Sequence, residues 1–349
     1  MQDFPPGVFA SPFRPAWWLR NPHAQTLFST LFRKPPAVSR VREELALADG
    51  DFLDLDWLRP TGWQDGQPLV LVVHGLSGSS ESHYVLGLQA ALARQGWASV
   101  GLNCRGASGR PNHLPRAYHA GGSDDLAAVL AHLRERHPRA PLALVGYSLG
   151  GSMTLKLMGE SAAAAPVFAA VAVSVPLLLP LCADRMDQGF SRVYRQHFMG
   201  TLTAQWEEKM RHLERRGDGA AAARVREHLR RGPFRSFWHF DNDLIAPLHG
   251  FADVHDYYRR SSPRQFLRHI QSPTLVIQSA DDPFMTPAVL PDVAELGPGV
   301  RFELCRAGGH VGFIEGGSPR APRYYLEHRI PAFLAAAREA IQGPVELLR

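Results

Sequence analysis

Leu142-Ala143-Leu144-Val145-Gly146-Tyr147-Ser148-Leu149-Gly150-Gly151, running on into Ser152-Met153-Thr154-Leu155-Lys156-Leu157-Met158, decides how the rest of the chain is read. The first six residues form a short, continuous apolar run, as expected of a strand buried on both faces. The last seven suit a helix. Between them stands Gly146-x-Ser148-x-Gly150, a serine on a tight strand-to-helix turn. Small residues two before and two after the serine keep such a turn clear of its neighbours. The turn lifts the Ser148 Oγ above the sheet and beside a helix N-terminus. There the backbone N–H of Leu149 can face a developing oxyanion.

Working outward, β-rich runs alternate with helical patterns. Val41–Ala48 and Asp51–Leu58 flank Asp49-Gly50, a hairpin signal. Further strands are expected at Leu69–His74, Ala98–Asn103, Phe168–Ser174, Thr274–Ser279 and, more weakly, Arg301–Leu304. Helices are expected at Ser82–Gln95, at Ser123–His137 with Ser123 as its cap, over residues 149–160, and at Tyr324–Ile341. This alternation predicts an α/β fold with a mostly parallel twisted sheet and helices on both faces. One stretch breaks it. From Ala183 to His269 there is no clear strand, and Gln205–Arg216 and Ala220–Arg231 form arginine-rich helical segments. The expected organisation is an N-terminal arm packed on the core (1–40), a first part of the core (41–182), a helical insertion (183–270) and a second part of the core (271–349). The insertion is either a lid or a passive helical layer.

Composition narrows the function classes. The chain has 349 residues, 45% hydrophobic and 20% charged, which is ordinary for a globular protein. The net charge of +5 comes mainly from arginine, with lysine only at 34, 156 and 209. In the insertion, Glu207, Glu208, Glu214, Asp218 and Glu227 interleave with the arginines. That pattern suggests salt-bridged solvent faces rather than a nucleic-acid patch. An anionic lipid surface remains open as a peripheral contact. Cys104, Cys182 and Cys305 form no CxxC pair, and no secretory signal or spanning segment is read, so a cytoplasmic location is expected. No metal-binding or nucleotide-binding motif occurs, so no cofactor is implied.

A serine hydroxyl becomes a nucleophile when a histidine, oriented by a carboxylate, accepts its proton. With a serine on a strand-to-helix turn, these partners follow in the order acid, then histidine. Ser279-Ala280-Asp281-Asp282-Pro283 follows one expected strand, and Gly308-Gly309-His310-Val311-Gly312 follows the last. Asp281 is preferred as the acid because it is nearer the strand end, with Asp282 capping the turn. The loop His74-Gly75-Leu76-Ser77-Gly78-Ser79-Ser80 offers the Leu76 N–H as the second oxyanion donor. His74 and Cys104 are read as structural. The aromatics of the arm, from Phe9 to Phe32, either pack on the core or anchor the protein at an interface.

These stretches together resemble the YheT-like branch of the α/β-hydrolase superfamily. That branch includes bacterial candidate esterases and relatives of ABHD-type lipid hydrolases. The resemblance rests on Asn21-Pro22-His23-Ala24-Gln25-Thr26, on residues 74–80, on Asn103-Cys104-Arg105-Gly106 and on residues 146–151. It rests equally on Phe240-Asp241, on Tyr257-Tyr258 with Ser261-Ser262-Pro263, and on residues 279–284 and 308–313. It implies a serine-dependent carboxylic ester hydrolase acting on short acyl esters or acylglycerol-type lipids, with the first aspartate of the Asp281-Asp282 pair as acid. An acyltransferase using the same residues and a non-catalytic binding protein on the same fold are the alternatives.

Overall fold

In a computed structural model, residues 7–342 are described. Eleven strands are present among them: β1 (Gly7–Ala10), β2 (Val41–Ala46), β3 (Phe52–Leu58), β4 (Leu69–Val73), β5 (Ala98–Asn103), β6 (Leu142–Tyr147), β7 (Ala169–Val173), β8 (Thr274–Ser279), β9 (Val300–Cys305), β10 (Ile314–Ser318) and β11 (Ala321–Tyr324). The first nine form one sheet in the order β1-β9-β8-β7-β6-β4-β5-β3-β2. β2 and β3 run antiparallel to their neighbours, and every other pairing is parallel.

The apolar runs form central strands because both faces of the sheet are covered. Alternate residues enter opposite layers. Leu69, Leu71 and Val73 of β4 join a layer with Leu142 and Leu144 of β6. Val70 and Val72 join the other layer, with Val145, Tyr147 and residues of the C-terminal helix Leu326–Gln342. Each such side chain is removed from water, worth about 1.5–3 kcal/mol per residue. Helices α2 (His83–Arg94), α3 (Ser123–Arg136) and α4 (Leu149–Ser161) connect successive parallel strands. In α3 the acidic pair Asp124 and Asp125 occupies the first turn, and Arg134 and Arg136 the last, each complementing the helix dipole. Ser123 is the first residue of that helix, not its cap. Its hydroxyl is spent on Glu160, 2.6 Å away.

Between β7 and β8 the chain is helical: α5 (Leu179–Met186), α6 (Ser191–Arg215), α7 (Gly219–Leu229), then short turns and a helix over Val254–Ser261. Helix α6 reaches further toward the N-terminus than its arginine-rich half suggests. Its buried Tyr194, Met199, Leu202 and Trp206 lie a turn or so apart. The Lys209 ammonium, buried on α6, donates to the Asn112 side chain and to the Leu114 and Arg116 carbonyls, both at 3.1 Å. That contact fastens the insertion to the core. Insertion arginines pair with acidic neighbours, as in Arg211–Glu208 at 3.0 Å and Arg215–Glu208 at 2.7 Å. Such exposed pairs contribute little stability.

The N-terminal segment contributes more than a covering. β1 extends the sheet beside β9. Then α1 (Pro22–Phe32) starts on Pro22, with the Asn21 side chain accepting from the His23 and Ala24 N–H groups. Phe13, Ala16 and Leu19 are buried, while Trp17, Leu31 and Phe32 are exposed.

Candidate active site

Parallel strands deliver their C-terminal ends to one edge of the sheet, where open α/β sheets place ligands. The loops after β4, β6, β8 and β9 meet there. Ser148 ends the turn after β6 with φ +50° and ψ −117°, a backbone state that persists only under strong constraint. Its N–H donates to the Val173 carbonyl at 2.8 Å. A Cβ on Gly150 would stand 2.5 Å from the His74 carbonyl oxygen, so no larger residue fits at this position. On Gly146 a Cβ would collide with the Gly150 carbonyl.

His310 reaches Ser148 from the loop after β9. Its Nε2 lies 2.9 Å from the Ser148 Oγ, and its Nδ1 lies 2.8 Å from the Asp282 Oδ2. A carboxylate only accepts, so Nδ1 carries the hydrogen and the Nε2 lone pair faces the serine hydroxyl. Phe284 stacks on the imidazole with ring centroids 4.1 Å apart.

The carboxylate at the imidazole is therefore Asp282, which corrects the expectation of Asp281. Asp281 instead braces the turn. Its Oδ1 accepts from the Ser279 hydroxyl and from the Gly309 N–H at 3.0 Å. Asp282 is 4% exposed, and its other oxygen accepts from the Phe284 N–H at 2.8 Å. Asp282 thus caps the turn, as expected, and also faces the imidazole, while Asp281 ties the turn to Gly309. The one local signal separating them is Pro283, which restricts the backbone of the residue before it.

Leu76 and Leu149 both border the cavity beside Ser148. Around Leu76 the loop is pinned. Gly75 N–H donates to the Tyr84 hydroxyl at 2.9 Å, and Ser77 N–H to the Tyr118 hydroxyl at 2.8 Å. Among the described residues, the N–H groups of Leu76 and Leu149 have no acceptor within the protein. His74 lies underneath. Its Nε2 accepts from the Cys104 N–H at 3.1 Å, so its Nδ1–H donates to the Gly75 carbonyl at 2.7 Å. Burial pushes this imidazole down to about 4 and keeps it neutral. Burial likewise raises the Cys104 thiol above its ordinary range, which disfavours its thiolate.

The cavity above Ser148 has a volume of about 350 Å³. Leu179, Ala183 and Met186 of the insertion, with Phe198, Leu202 and Phe240, make it mainly apolar. Sequence reasoning assigned no role to Asp241, which also lines it on a π-helical turn over Asp241–Ile245. Tyr258 donates to the Asp241 Oδ2 at 2.7 Å, and burial raises this carboxyl to about 7. The Phe240-Asp241 and Tyr257-Tyr258 pairs were the available signal. Their meeting across the cavity depends on the fold of the insertion. Among the described residues, no group of three or more His, Cys, Asp or Glu could hold a metal ion.

The sequence signature of the alpha/beta hydrolase fold matches residues 68–317, and the chain belongs to that family. Within the family it falls in the YheT branch. It is 39% identical over 329 residues, 94% of each chain, to the candidate esterase YheT of Escherichia coli (strain K12). It is also 28% identical to the phospholipase ABHD3 of Homo sapiens, over 93% of this chain and 78% of the relative. Among solved structures, the esterase Pf2001 of Pyrococcus furiosus superposes with a TM-score of 0.53 at 16% identity, covering 87% of this chain and 99% of that one. At that identity the likeness establishes the fold.

Proposed function

We propose that the protein is a serine hydrolase that cleaves carboxylic esters through an acyl-enzyme. Ser148 attacks the carbonyl carbon. His310 takes the serine proton at Nε2 and gives it to the leaving alcohol. Asp282 holds the imidazole tautomer and stabilises its positive charge. The Leu76 and Leu149 N–H groups bind the oxyanion. Water, deprotonated by His310, then releases the acid. The observation that carries this reading is the unbroken hydrogen-bond chain Ser148–His310–Asp282 at the floor of an apolar cavity.

The apolar cavity suits the acyl part of short acyl esters or acylglycerol-type lipids. Relatives named phospholipase ABHD3 and monoacylglycerol lipase ABHD2 support the lipid side of that range. The exposed Trp17, Leu31 and Phe32 offer a means of peripheral contact with a lipid surface. No helix among the described residues is long and apolar enough to cross a membrane. The three cysteines are buried and unpaired, which suits a reducing compartment such as the cytoplasm.

The test is Ser148→Ala. It stays folded, loses p-nitrophenyl butyrate hydrolysis and is no longer labelled by a fluorophosphonate, whereas the unaltered protein is labelled once, at Ser148. Retained turnover in the variant, or labelling at Cys104, overturns the assignment.

A further inference from the structure

The loop that carries His310 closes on itself through one bond, from the Phe313 N–H to the Gly308 carbonyl at 3.1 Å, and otherwise takes its shape from its surroundings. Gly308, Gly309, Val311 and Phe313 all have positive φ, and for valine and phenylalanine that state is strained, at +58° and +45°. Strained backbone of this kind persists only when its surroundings over-determine it. Among its N–H groups, that of Gly309 goes to Asp281, and that of Val311 to the Ser174 hydroxyl at 3.0 Å. The remaining two external bonds go to α1. His310 N–H donates to the Thr26 Oγ1 at 2.9 Å, and Ile314 N–H donates to the Gln25 Oε1 at 2.8 Å.

Helix α1 is built to receive them. The Thr26 hydroxyl hydrogen goes to the Pro22 carbonyl at 2.8 Å, one helical turn back, which fixes the rotamer and aims a lone pair at the His310 N–H. Gln25 is fully buried. Its amide donates to the Leu19 carbonyl at 2.8 Å and back to the Ile314 carbonyl at 3.0 Å. Loop and helix touch backbone to backbone, since a Cβ on Gly312 would lie 2.5 Å from the Gln25 carbonyl oxygen. The insertion closes the third side. The Tyr194 hydroxyl of α6 lies 3.0 Å from the His23 Nδ1, and the Tyr194 ring packs on Phe284, the residue stacked on the His310 ring.

We propose that Thr26 is a positioning residue for His310, and that α1 of the N-terminal segment is thereby a working part of the active site and not a covering. Thr26 touches no reacting atom. It sets the position of the His310 backbone, from which the imidazole must span Ser148 and Asp282 at once. The inference rests on the proposed serine-hydrolase reading. It adds to that reading the Asn21–Thr26 motif, which the chemistry otherwise leaves without a role.

The test uses the full chain with Thr26→Val, which keeps the shape and removes the acceptor, and Thr26→Ser, which keeps the acceptor. Thr26→Val lowers kcat for p-nitrophenyl butyrate and the rate of fluorophosphonate labelling about ten- to a hundredfold, with KM within about twofold. Thr26→Ser restores kcat to within about threefold of the unaltered protein. Should Thr26→Val melt below the assay temperature, Thr26→Ala, which adds no bulk, carries the same expectation. A kcat within twofold of the unaltered protein in the variant lacking the hydroxyl overturns the proposal. So does an equal loss in Thr26→Ser. Absence of labelling in the unaltered protein would instead strike the Ser148 assignment, which separates the two failures.

Discussion

Replacing either aspartate of the Asp281-Asp282 pair by asparagine separates two carboxylates that stand one residue apart. In Asp282→Asn the amide has one oxygen to place. The Phe284 N–H, 2.8 Å from the present Oδ1, claims it. The NH₂ group then faces the His310 Nδ1, where the carboxylate oxygen stood at 2.8 Å. Nδ1 must accept, so the ring hydrogen moves to Nε2. That nitrogen, 2.9 Å from the Ser148 Oγ, can no longer take the serine proton. Loss of the correct tautomer in a serine triad lowers kcat by about 10⁴, or about 5.5 kcal/mol at about 1.4 kcal/mol per decade. Asp281→Asn differs. Its oxygen can still accept from the Ser279 hydroxyl and the Gly309 N–H, and what is lost is the charge assistance. That loss is worth about 1 kcal/mol, and a kcat lower by about five- to tenfold. The assay is kcat and KM for p-nitrophenyl butyrate at pH 8, with melting curves to show that both variants fold. A fall of 10³ or more in Asp281→Asn, with Asp282→Asn within tenfold of the unaltered protein, would refute the tautomer argument.

Two further outcomes follow from the cavity. The Asp241 carboxyl, raised from its ordinary 3.8 to about 7, remains protonated in the folded chain after the unfolded chain has ionised. Stability therefore falls as pH rises through that window, by at most about 1.4 kcal/mol per unit, and the deficit is complete above about 7. Asp241→Asn should raise the melting temperature at pH 8 and leave it nearly unchanged at pH 4; an equal shift at both values rejects the assignment. Leu202→Trp should narrow the apolar wall given by α6, lowering kcat/KM for octanoate esters at least tenfold relative to acetate esters. An unchanged ratio would place the acyl chain elsewhere.

Much of the architecture was legible along the chain, because central parallel strands announce themselves as apolar runs. LVLVV, LALVGY and TLVIQS needed no tertiary information to be assigned to a sheet covered on both faces. The Gly146–Gly150 turn was equally plain, since a serine with φ +50° between tightly packed strand and helix demands glycines at fixed offsets. His310 followed from its glycine-rich loop after the last long strand. Less was legible at the edges. β1 lies far from β9 in sequence, and its four residues carry no pattern that names their partner. The hairpin of β10 and β11 is short, bulged and half exposed, so it lacks clean alternation. In α1, Pro22 occupies the first turn and marks where the helix begins.

Local chemistry along the chain thus determined which residue types would meet: a serine on a turn, a carboxylate after β8, a histidine after β9. Which of two adjacent carboxylates faces the imidazole was decided by folding alone. Side chains one position apart leave the backbone in different directions, and the loop from Gly308 to Phe313 presents its histidine to only one of them. The same holds for Thr26 and Gln25. They lie some 280 residues from His310 and Ile314, and only their burial against that loop lets a helical threonine and glutamine accept from its backbone N–H groups.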